Sequence, residues 1–280
     1  MTEQVVVAGN GGDTAGDFDA LTRKISRDRG FGCASYKDKC LRRRIAVRMR
    51  ARGVHTYADY ARMLDSDAAE YDKLLDALTI NVTKLFRNWD VYASIAANVV
   101  PALFDSERPR IRVWSAGCSS GDEPYSLGIL FHRHAATRGL LAQLGRVHIV
   151  GTDIDRRCLD AARRGEFDEG DFEDTPDDLR RRYFSATPPF TISQSVRDVV
   201  RFESRDLLRE PPPDGPHDLI VCRNVLIYFD RETQERLFES FHRALAPGGY
   251  LVLGKVETLL GRSRTRFTAV DARERIFRRL

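Results

Sequence analysis

The chain has 280 residues, of which 42% are hydrophobic and 31% are charged, and its formal net charge is +4. These values are typical of a water-soluble globular protein with one large domain and room for a small second one. No apolar run approaches the roughly 20 residues that span a bilayer, and the first residues lack the pattern of a secretory signal. The five cysteines are scattered without a C-x-x-C pair, so we expect a cytoplasmic protein without bound metal.

The N-terminal third predicts three segments of different character. Residues 1–17 are rich in Gly and Asp and lack hydrophobic periodicity, which is typical of a flexible tail. Residues 18–88 repeat apolar side chains at spacings of three or four, which predicts a small all-helical domain. Residues 89–110 continue this pattern, and we interpret them as a helix that links the small domain to a larger one.

The segment 37–52 is strongly basic. Arg44, Arg48 and Arg50 fall outside the apolar stripe of its predicted helix. A solvated face is the simplest interpretation, and a surface for nucleic acid or for an acidic protein helix is the functional alternative. No aromatic residues alternate with these arginines, which argues against stacking on single-stranded nucleic acid.

Residues 111–280 alternate strand-like and helix-like segments, which predicts a Rossmann-like, mostly parallel sheet with helices on both faces. Two closing strands without a helix between them predict an antiparallel last strand. A polar, irregular stretch interrupts this alternation, with strand-like pieces around residues 190–192 and 199–202. The expected central strands lie at 111–116, 147–151 and 218–222.

The first of these strands runs into a turn of small residues that contains Gly117, and a helix with Asp122 and Glu123 in its first turn follows. A strand, a glycine turn and a helix N-terminus form the ligand site of many open α/β sheets. The two acids would repel phosphate, and no dinucleotide or P-loop glycine pattern is present. The turn therefore favours a ligand with positive charge, although an ordinary strand-to-helix connection has the same spacing.

The next two strands also end in polar residues. Asp153 follows the second strand and is placed to bind both hydroxyls of a ribose, or to cap the following helix. Asn224 and Tyr228 follow the third strand. A ribose ligand whose charged end lies near acids points to S-adenosylmethionine, because its sulfonium and amino groups are cationic.

Five segments, in order and spacing, resemble the CheR family of chemotaxis receptor methyltransferases, which esterify receptor glutamates. They are INVTKLFRN (80–88), RVWSAGCSSGDEPYSL (112–127), GTDID (151–155), CRNVLIYFD (222–230) and LAPGGYLVLG (245–254). The resemblance covers roughly residues 21–280. It implies the fold of an S-adenosylmethionine-dependent methyltransferase, with an N-terminal helical domain that recognises the receptor and a small β-subdomain at residues 184–202. Within the basic segment of that helical domain, we expect Arg44, Arg48 and Arg50 to contact the receptor.

The resemblance also implies roles for individual residues. Tyr228 matches the tyrosine near the transferred methyl group. Arg87 matches an arginine that contacts the cofactor, and it is also expected to steer the substrate carboxylate, so Arg87 and Tyr228 are the predicted catalytic residues. Asp206 stands where the family usually has Asn, so it can accept but not donate a hydrogen bond to adenine. The residues expected to contact the cofactor are Asn81, Thr83, Arg87, Gly117, Glu123, Asp153, Asp206, Leu207, Asn224 and Val225.

The predicted function is therefore methyl transfer from S-adenosylmethionine to glutamates of a chemoreceptor cytoplasmic helical bundle, with S-adenosylhomocysteine as product. We expect a monomer without membrane insertion and without a nucleic-acid partner. Two alternatives stay open at this point. The basic segment 37–52 would suit a nucleic-acid methyltransferase, and the cofactor site alone would suit a non-catalytic adaptor.

Overall fold

A computed structural model describes residues 15–79, 81–106 and 108–280. Contacts divide the chain into two units, Met1–Ile80 with Tyr228–Asp230, and Asn81–Ile227 with Arg231–Leu280. The boundary falls eight residues before the end of the predicted helical domain, so the segment that begins at Asn81 belongs to the larger unit. Residues 1–14 of the predicted tail lie outside the described residues, and residues 15–17 are the start of the first helix.

The first unit is helical, as the spacing of its apolar residues predicts. Its α-helices are α1 (Ala15–Arg29), α2 (Asp38–Ala51), α3 (Tyr57–Ser66) and α4 (Ala68–Thr79), and a 3-10 turn spans Cys33–Ser35. The apolar stripes of these helices bury a common core that includes Leu21, Ile45 and Leu74. The Thr56 hydroxyl caps α3 by accepting the Asp59 N–H at 3.1 Å.

A short segment from late in the chain completes this unit. The Tyr228 carbonyl accepts the Lys37 N–H at 2.9 Å, and the Asp230 N–H donates to the Ser35 carbonyl at 3.0 Å. Within the same unit, Arg44 donates to the Ala77 carbonyl at 3.0 Å and lies 6.0 Å from the centre of the Tyr228 ring. Both predicted site residues are therefore integrated into the packing of the helical unit.

Arg48 forms a buried ion pair inside the helical unit. Its Nε and Nη2 donate to the two carboxylate oxygens of Glu70 at 3.0 and 2.6 Å, and the Tyr60 hydroxyl donates to Glu70 at 2.8 Å. Burial opposes ionisation of Glu70, but these hydrogen bonds bring its pKa below the usual value. The guanidinium of Arg48 is thus paired with a fully buried acid, and its contact with a receptor stays a prediction.

The second unit begins with a helix in three parts, α5 (Trp89–Ser94), a π-helical turn (Ile95–Val99) and α6 (Val100–Phe104). Val91, Tyr92 and Ile95 are buried in the main core of this unit together with strand residues such as Val113. The predicted linker at 89–110 therefore ends as a helix at Phe104 and contributes to the core rather than bridging two cores.

The remaining elements alternate as predicted. The strands are β1 (Ile111–Ala116), β2 (Val147–Asp153), β3 (Glu166–Phe167), β4 (Phe190–Thr191), β5 (Val200–Ser204), β6 (His217–Cys222), β7 (Leu245–Leu253), β8 (Phe267–Asp271) and β9 (Ile276–Arg279). The helices are α7 (Asp122–Thr137), α8 (Arg156–Arg164), α9 (Asp177–Tyr183), α10 (Gln194–Arg197) and α11 (Arg231–Ala244). Short 3-10 turns occupy Leu141–Arg146, Glu169–Phe172, Leu226–Tyr228 and Gly261–Thr265.

In the described part of the chain, seven strands form one sheet in the order β5-β2-β1-β6-β7-β9-β8. The first five strands run parallel, and β9 and β8 pair antiparallel at one edge. The predicted fold class, a mostly parallel Rossmann-like sheet with an antiparallel end, is confirmed. The three strands expected to carry the site, β2, β1 and β6, are adjacent, so their carboxyl ends meet at one edge.

The predicted β-subdomain at 184–202 was partly wrong. Within it, Phe190–Thr191 pairs antiparallel with Glu166–Phe167, which lies outside the predicted range. Val200–Ser204 is instead the parallel edge strand of the main sheet, where Val200 lies beside Ile149. The sequence predicts a strand near this position, but a short strand-like run does not indicate which sheet it joins.

The ion pair in the helical unit makes a testable prediction for stability. Replacing Arg48 by Ala leaves the buried carboxylate of Glu70 with the hydrogen bond from the Tyr60 hydroxyl and with the Arg52 guanidinium 3.8 Å away. We expect the free energy of unfolding to fall by about 2 to 3 kcal/mol, since a buried charge that loses its bidentate partner is strongly destabilising. Urea unfolding followed by circular dichroism measures this change.

Arg50 provides the matched control on the same helix. Its side chain is exposed and donates to the Ala46 carbonyl at 3.3 Å. The Arg50→Ala variant should change the free energy of unfolding by less than about 0.5 kcal/mol. Equal losses in the two variants would contradict the assignment of Arg48 to the interior.

Candidate active site at the carboxyl ends of three strands

The turn after β1 packs directly against the turn after β6. Gly117 has a φ of +79°, a conformation that favours glycine. A Cβ atom at this position would lie 2.6 Å from Cγ2 of Val225, so a larger residue at position 117 would displace that side chain. The structure thus brings together two predicted cofactor residues that are more than a hundred positions apart in the chain.

Asp153 ties the end of β2 to the same turn. One carboxylate oxygen accepts the Ser119 N–H at 2.8 Å, and the other accepts the Asp155 N–H at 3.0 Å. Burial raises the pKa of Asp153, while these backbone hydrogen bonds lower it. Each carboxylate oxygen has a second lone pair, so Asp153 can still accept from two ligand hydroxyls.

The helix cap lies two residues further on. Asp155 is the N-cap of α8, and its Oδ1 accepts the N–H groups of Arg157 and Cys158 at 2.9 and 3.3 Å. Its other carboxylate oxygen accepts from the Asn81 amide at 2.6 Å. The capping alternative raised for Asp153 is therefore satisfied by Asp155, which leaves Asp153 available to the site.

Glu123 and Arg223 form the electrostatic centre of the site. Ser115 donates a 2.8 Å hydrogen bond to one oxygen of Glu123, and Nη1 of Arg223 lies 3.8 Å from the other. Both side chains are buried, with 12% of Glu123 and 2% of Arg223 exposed. Burial raises the pKa of Glu123 to about 7, and the Arg223 guanidinium and the Ser115 hydroxyl oppose this shift.

Two further buried acids strengthen the negative potential. Burial raises the pKa of Asp122 to about 6, although hydrogen bonds from Ser120 and Thr83 lower it. The charge of Glu257 raises the pKa of Glu123 further. Within the described residues of this unit, Arg223 is the one buried cation among these acids, so the strand ends favour a cationic ligand.

The segment 81–88 is held against this edge by specific contacts. The Leu85 N–H donates to the Asp171 carbonyl at 3.0 Å, and the Phe86 N–H donates to the Ser126 hydroxyl at 2.9 Å. The Asn88 N–H donates to the Asp174 carboxylate at 2.7 Å. These bonds fix the backbone on both sides of the predicted catalytic Arg87.

Arg87 is linked to the centre of the site through its own backbone. Its carbonyl accepts from Nη2 of Arg223 at 2.8 Å, and its guanidinium donates to the Val82 carbonyl at 2.8 Å. Its positive charge also lowers the pKa of Glu123. The side chain is half-buried, so it can still reach a ligand.

The remaining predicted residues take different positions. Asp206 accepts the Leu208 N–H at 2.8 Å and lies 3.7 Å from the Arg209 guanidinium, which leaves further lone pairs for a ligand. Leu207 is half-buried beside it in sequence. Tyr228 belongs to the helical unit, so its predicted role beside the methyl group stays a prediction.

Asn224 has a left-handed backbone with a φ of +60°, and its side-chain oxygen is buried without a hydrogen-bond partner among the described residues. A buried polar oxygen without a partner is unfavourable, so it points to a ligand donor at this position. Glu257 accepts the N–H groups of Asn224 and Gly254 at 3.1 and 2.6 Å. Asn224 thus lies at the third strand end, as the sequence predicts.

Two residues of the site were missed in the sequence. Arg223 directly follows the buried strand β6, and a charged residue at the end of a buried strand could have indicated a site residue. Glu257 follows β7, outside the three strand ends from which the site was predicted. The role of each depends on backbone groups that only the fold brings near.

Comparison with known proteins identifies the family. A family profile described as "CheR methyltransferase, SAM binding domain" matches residues 81–276, and one described as "CheR methyltransferase, all-alpha domain" matches residues 16–79. This chain belongs to the CheR methyltransferase family. The junction between the two matches coincides with the division of the chain at residues 80 and 81.

Curated relatives of this CheR family member agree with the profiles. A chemotaxis protein methyltransferase of Listeria innocua serovar 6a is 35% identical over 252 residues, which cover 89% of this chain and 92% of that protein. One from Klebsiella aerogenes is 33% identical over 251 residues, which cover 86% of this chain and 82% of that protein. Chemotaxis protein methyltransferase 1 of Pseudomonas aeruginosa is 32% identical over 250 residues, covering 87% and 90%.

The residues of this CheR family chain fit S-adenosylmethionine. The buried acids match a ligand with two cationic groups, and the unpartnered oxygen of Asn224 can accept from its amino group. Among residues 15–79, 81–106 and 108–280, no helix is long and apolar enough to cross a bilayer. No cluster suited to a metal ion occurs in the same ranges.

The raised pKa of Glu123 makes ligand affinity depend on pH. A bound cation favours the ionised carboxylate, so binding becomes tighter as the pH rises through about 7. We expect the affinity for S-adenosylmethionine to rise about 10-fold from pH 6 to pH 8, as the ionised fraction of Glu123 rises from about a tenth to about nine tenths. Isothermal titration calorimetry measures this change.

The Glu123→Gln variant is the control for this pH dependence. Titration of the ligand itself affects both proteins equally, so the difference between their profiles reports Glu123 alone. We expect the variant to lack the 10-fold rise. The same slope in both proteins would contradict a titrating Glu123.

Proposed function

We propose that this CheR family methyltransferase transfers the methyl group of S-adenosylmethionine to glutamate side chains of a chemoreceptor cytoplasmic helical bundle. The products are a glutamate methyl ester and S-adenosylhomocysteine, and the setting is adaptation in chemotaxis signalling in the cytoplasm. The main support is the cluster of buried acids around Arg223 at the ends of β1, β2 and β6. The names of the curated relatives support the chemotactic setting.

We assign the cofactor to the residues that converge at the strand ends. Asp153 holds the ribose hydroxyls, and Glu123 with Asn224 faces the cationic methionine part. Gly117 and Val225 line the turn between these groups, and Asp206 with Leu207 contacts the adenine. Asn81 and Thr83 support this pocket through Asp155 and Asp122.

The reaction needs little acid–base chemistry from the protein. A glutamate carboxylate has an unperturbed pKa of about 4.3, so it is already an ionised nucleophile at neutral pH. The cofactor supplies an activated methyl group on a sulfonium that is a good leaving group. The residues of the chain then have to align the acceptor with that methyl group and exclude water.

Arg87 is the residue we propose for holding the acceptor carboxylate. A guanidinium can bind a carboxylate through two parallel hydrogen bonds, which also fixes its orientation. Its backbone is fixed by Arg223 and its loop by Asp174. We also propose that the Tyr228 hydroxyl orients one of the two reactants.

The exposed face of α2 is the receptor surface that we propose. Lys39, Arg43, Val47 and Arg50 recur at spacings of four, four and three, and each side chain is exposed. Val47 is 49% exposed and places an apolar contact among three cations. This face suits an acidic helical surface. Of the receptor contacts expected from the sequence, it includes Arg50 and does not include Arg48.

The function can be tested by methyl transfer to purified receptor cytoplasmic domains. We expect the label from methyl-labelled S-adenosylmethionine to appear on receptor glutamates and to be released as methanol in alkali. The Arg87→Ala variant should lower this transfer about 100-fold, the scale of removing one preorganised charged donor. Arg138→Ala, on an exposed arginine at the end of α7, should transfer normally.

Other outcomes distinguish the alternatives. Alkali-stable methyl groups on RNA or DNA would indicate a nucleic-acid methyltransferase. Cofactor binding without transfer to any receptor would indicate an adaptor. Unchanged turnover in the Arg87→Ala variant would remove Arg87 from the catalytic site.

The receptor surface makes a separate prediction. Reversing the charge of Arg43 and Arg50 together, as Arg43→Glu with Arg50→Glu, should raise the KM for the receptor at least about 10-fold. The affinity for S-adenosylhomocysteine should not change. Arg62→Glu, on an exposed arginine of α3 outside this face, is the matched control. A similar rise in that control would show that general charge, rather than this face, is responsible.

A further inference from the structure

We propose that Glu257 is a positioning residue that holds Asn224 in place for the cofactor. This inference rests on the proposed cofactor site, because it assigns Asn224 a ligand contact. Glu257 lies after β7, outside the strand ends that carry the other predicted contacts. Its role follows from the groups that it binds rather than from its own approach to the ligand.

The carboxylate of Glu257 binds backbone groups from two loops. Its Oε2 accepts the Gly254 N–H at 2.6 Å and the Asn224 N–H at 3.1 Å, and its Oε1 accepts the Ile227 N–H at 3.3 Å. Glu257 is buried, with only 5% of the residue exposed. Burial raises the pKa of Glu257, and these N–H groups oppose the shift. One acid thus joins the ends of β6 and β7.

Gly254 leaves the space that this arrangement needs. A Cβ atom at Gly254 would lie 2.8 Å from Oε2 of Glu257 and 2.9 Å from the Asn224 nitrogen. Both distances are shorter than real carbon contacts, so any larger residue would push the carboxylate away from the Asn224 N–H. The position of Glu257 is therefore determined by the backbone on both sides.

Asn224, the residue that Glu257 holds, has an unusual backbone conformation. Asn224 has a φ of +60°, which is uncommon for a residue other than glycine and requires support from its surroundings. Its side-chain oxygen is buried without a partner in the described structure. The hydrogen bond from its N–H to Glu257 maintains this conformation, and the conformation places the oxygen where a ligand donor can satisfy it.

A double-mutant cycle on S-adenosylhomocysteine affinity tests this inference. The variants are Glu257→Gln, Asn224→Ala and the two together, each measured by isothermal titration calorimetry. We expect Glu257→Gln to weaken binding about 10-fold, because an amide of the same shape cannot accept from all three N–H groups. If Glu257 acts through Asn224, then Glu257→Gln should weaken binding clearly less in the Asn224→Ala background, where only the loss of the Glu257 charge near Glu123 remains.

Kinetics separate positioning from a general loss of structure. Glu257→Gln should raise the KM for S-adenosylmethionine and leave the KM for the receptor unchanged. Glu274→Gln is the matched control, since Glu274 is a similarly buried acid that pairs with Lys255 instead. If Glu257→Gln does not fold, Gly254→Ala disturbs the same contact from the other side and should give the same pattern.

Three results would overturn the inference. If Glu257→Gln binds S-adenosylhomocysteine normally and Asn224→Ala binds it weakly, Glu257 is not a positioning residue, and the proposed cofactor site stands. Fully additive effects in the double variant would show that Glu257 does not act through Asn224. Normal affinity in Asn224→Ala would show that Asn224 does not contact the cofactor, and the positioning role of Glu257 would then also be rejected.

Discussion

The central constraint in this protein is an excess of buried negative charge at one edge of a parallel sheet. Asp122, Glu123, Asp153 and Glu257 are all held in an environment that raises their pKa values. Arg223 is their buried counter-ion in the described structure. A cation in this place would relieve the imbalance, and that makes S-adenosylmethionine a better match than a phosphate-rich nucleotide.

Backbone geometry, rather than contacts between the acids, determines where the acids lie. The parallel order of β2, β1 and β6 brings three strand ends together, and each end then turns sharply in its own way. Gly117 allows close approach after β1, Asp155 caps the helix after β2, and Asn224 turns the chain after β6. The same contacts that terminate the strands therefore build the pocket, so the fold and the site cannot be separated energetically.

Much of this arrangement could be predicted from the sequence, because strand and helix periods are local and strand ends are known ligand positions. Asp153 and Asn224 were placed at their strand ends in that way, and the structure has them there. The ion pair of Arg48 could not be predicted, because its partner Glu70 is 22 residues away and helical periodicity does not show a buried ion pair. The edge strand Val200–Ser204 was misplaced because only its neighbour β2 identifies it. Arg223 and Glu257 form hydrogen bonds with backbone groups that are distant in the chain, and such contacts cannot be predicted from the sequence.

A crystal structure of the chain with S-adenosylhomocysteine tests the central claim most directly. The account predicts the nucleoside at the ends of β1, β2 and β6, with its ribose hydroxyls on Asp153 and its amino group near Glu123 and Asn224. Binding at another place on the molecule, or density for the ribose away from Asp153, would contradict it.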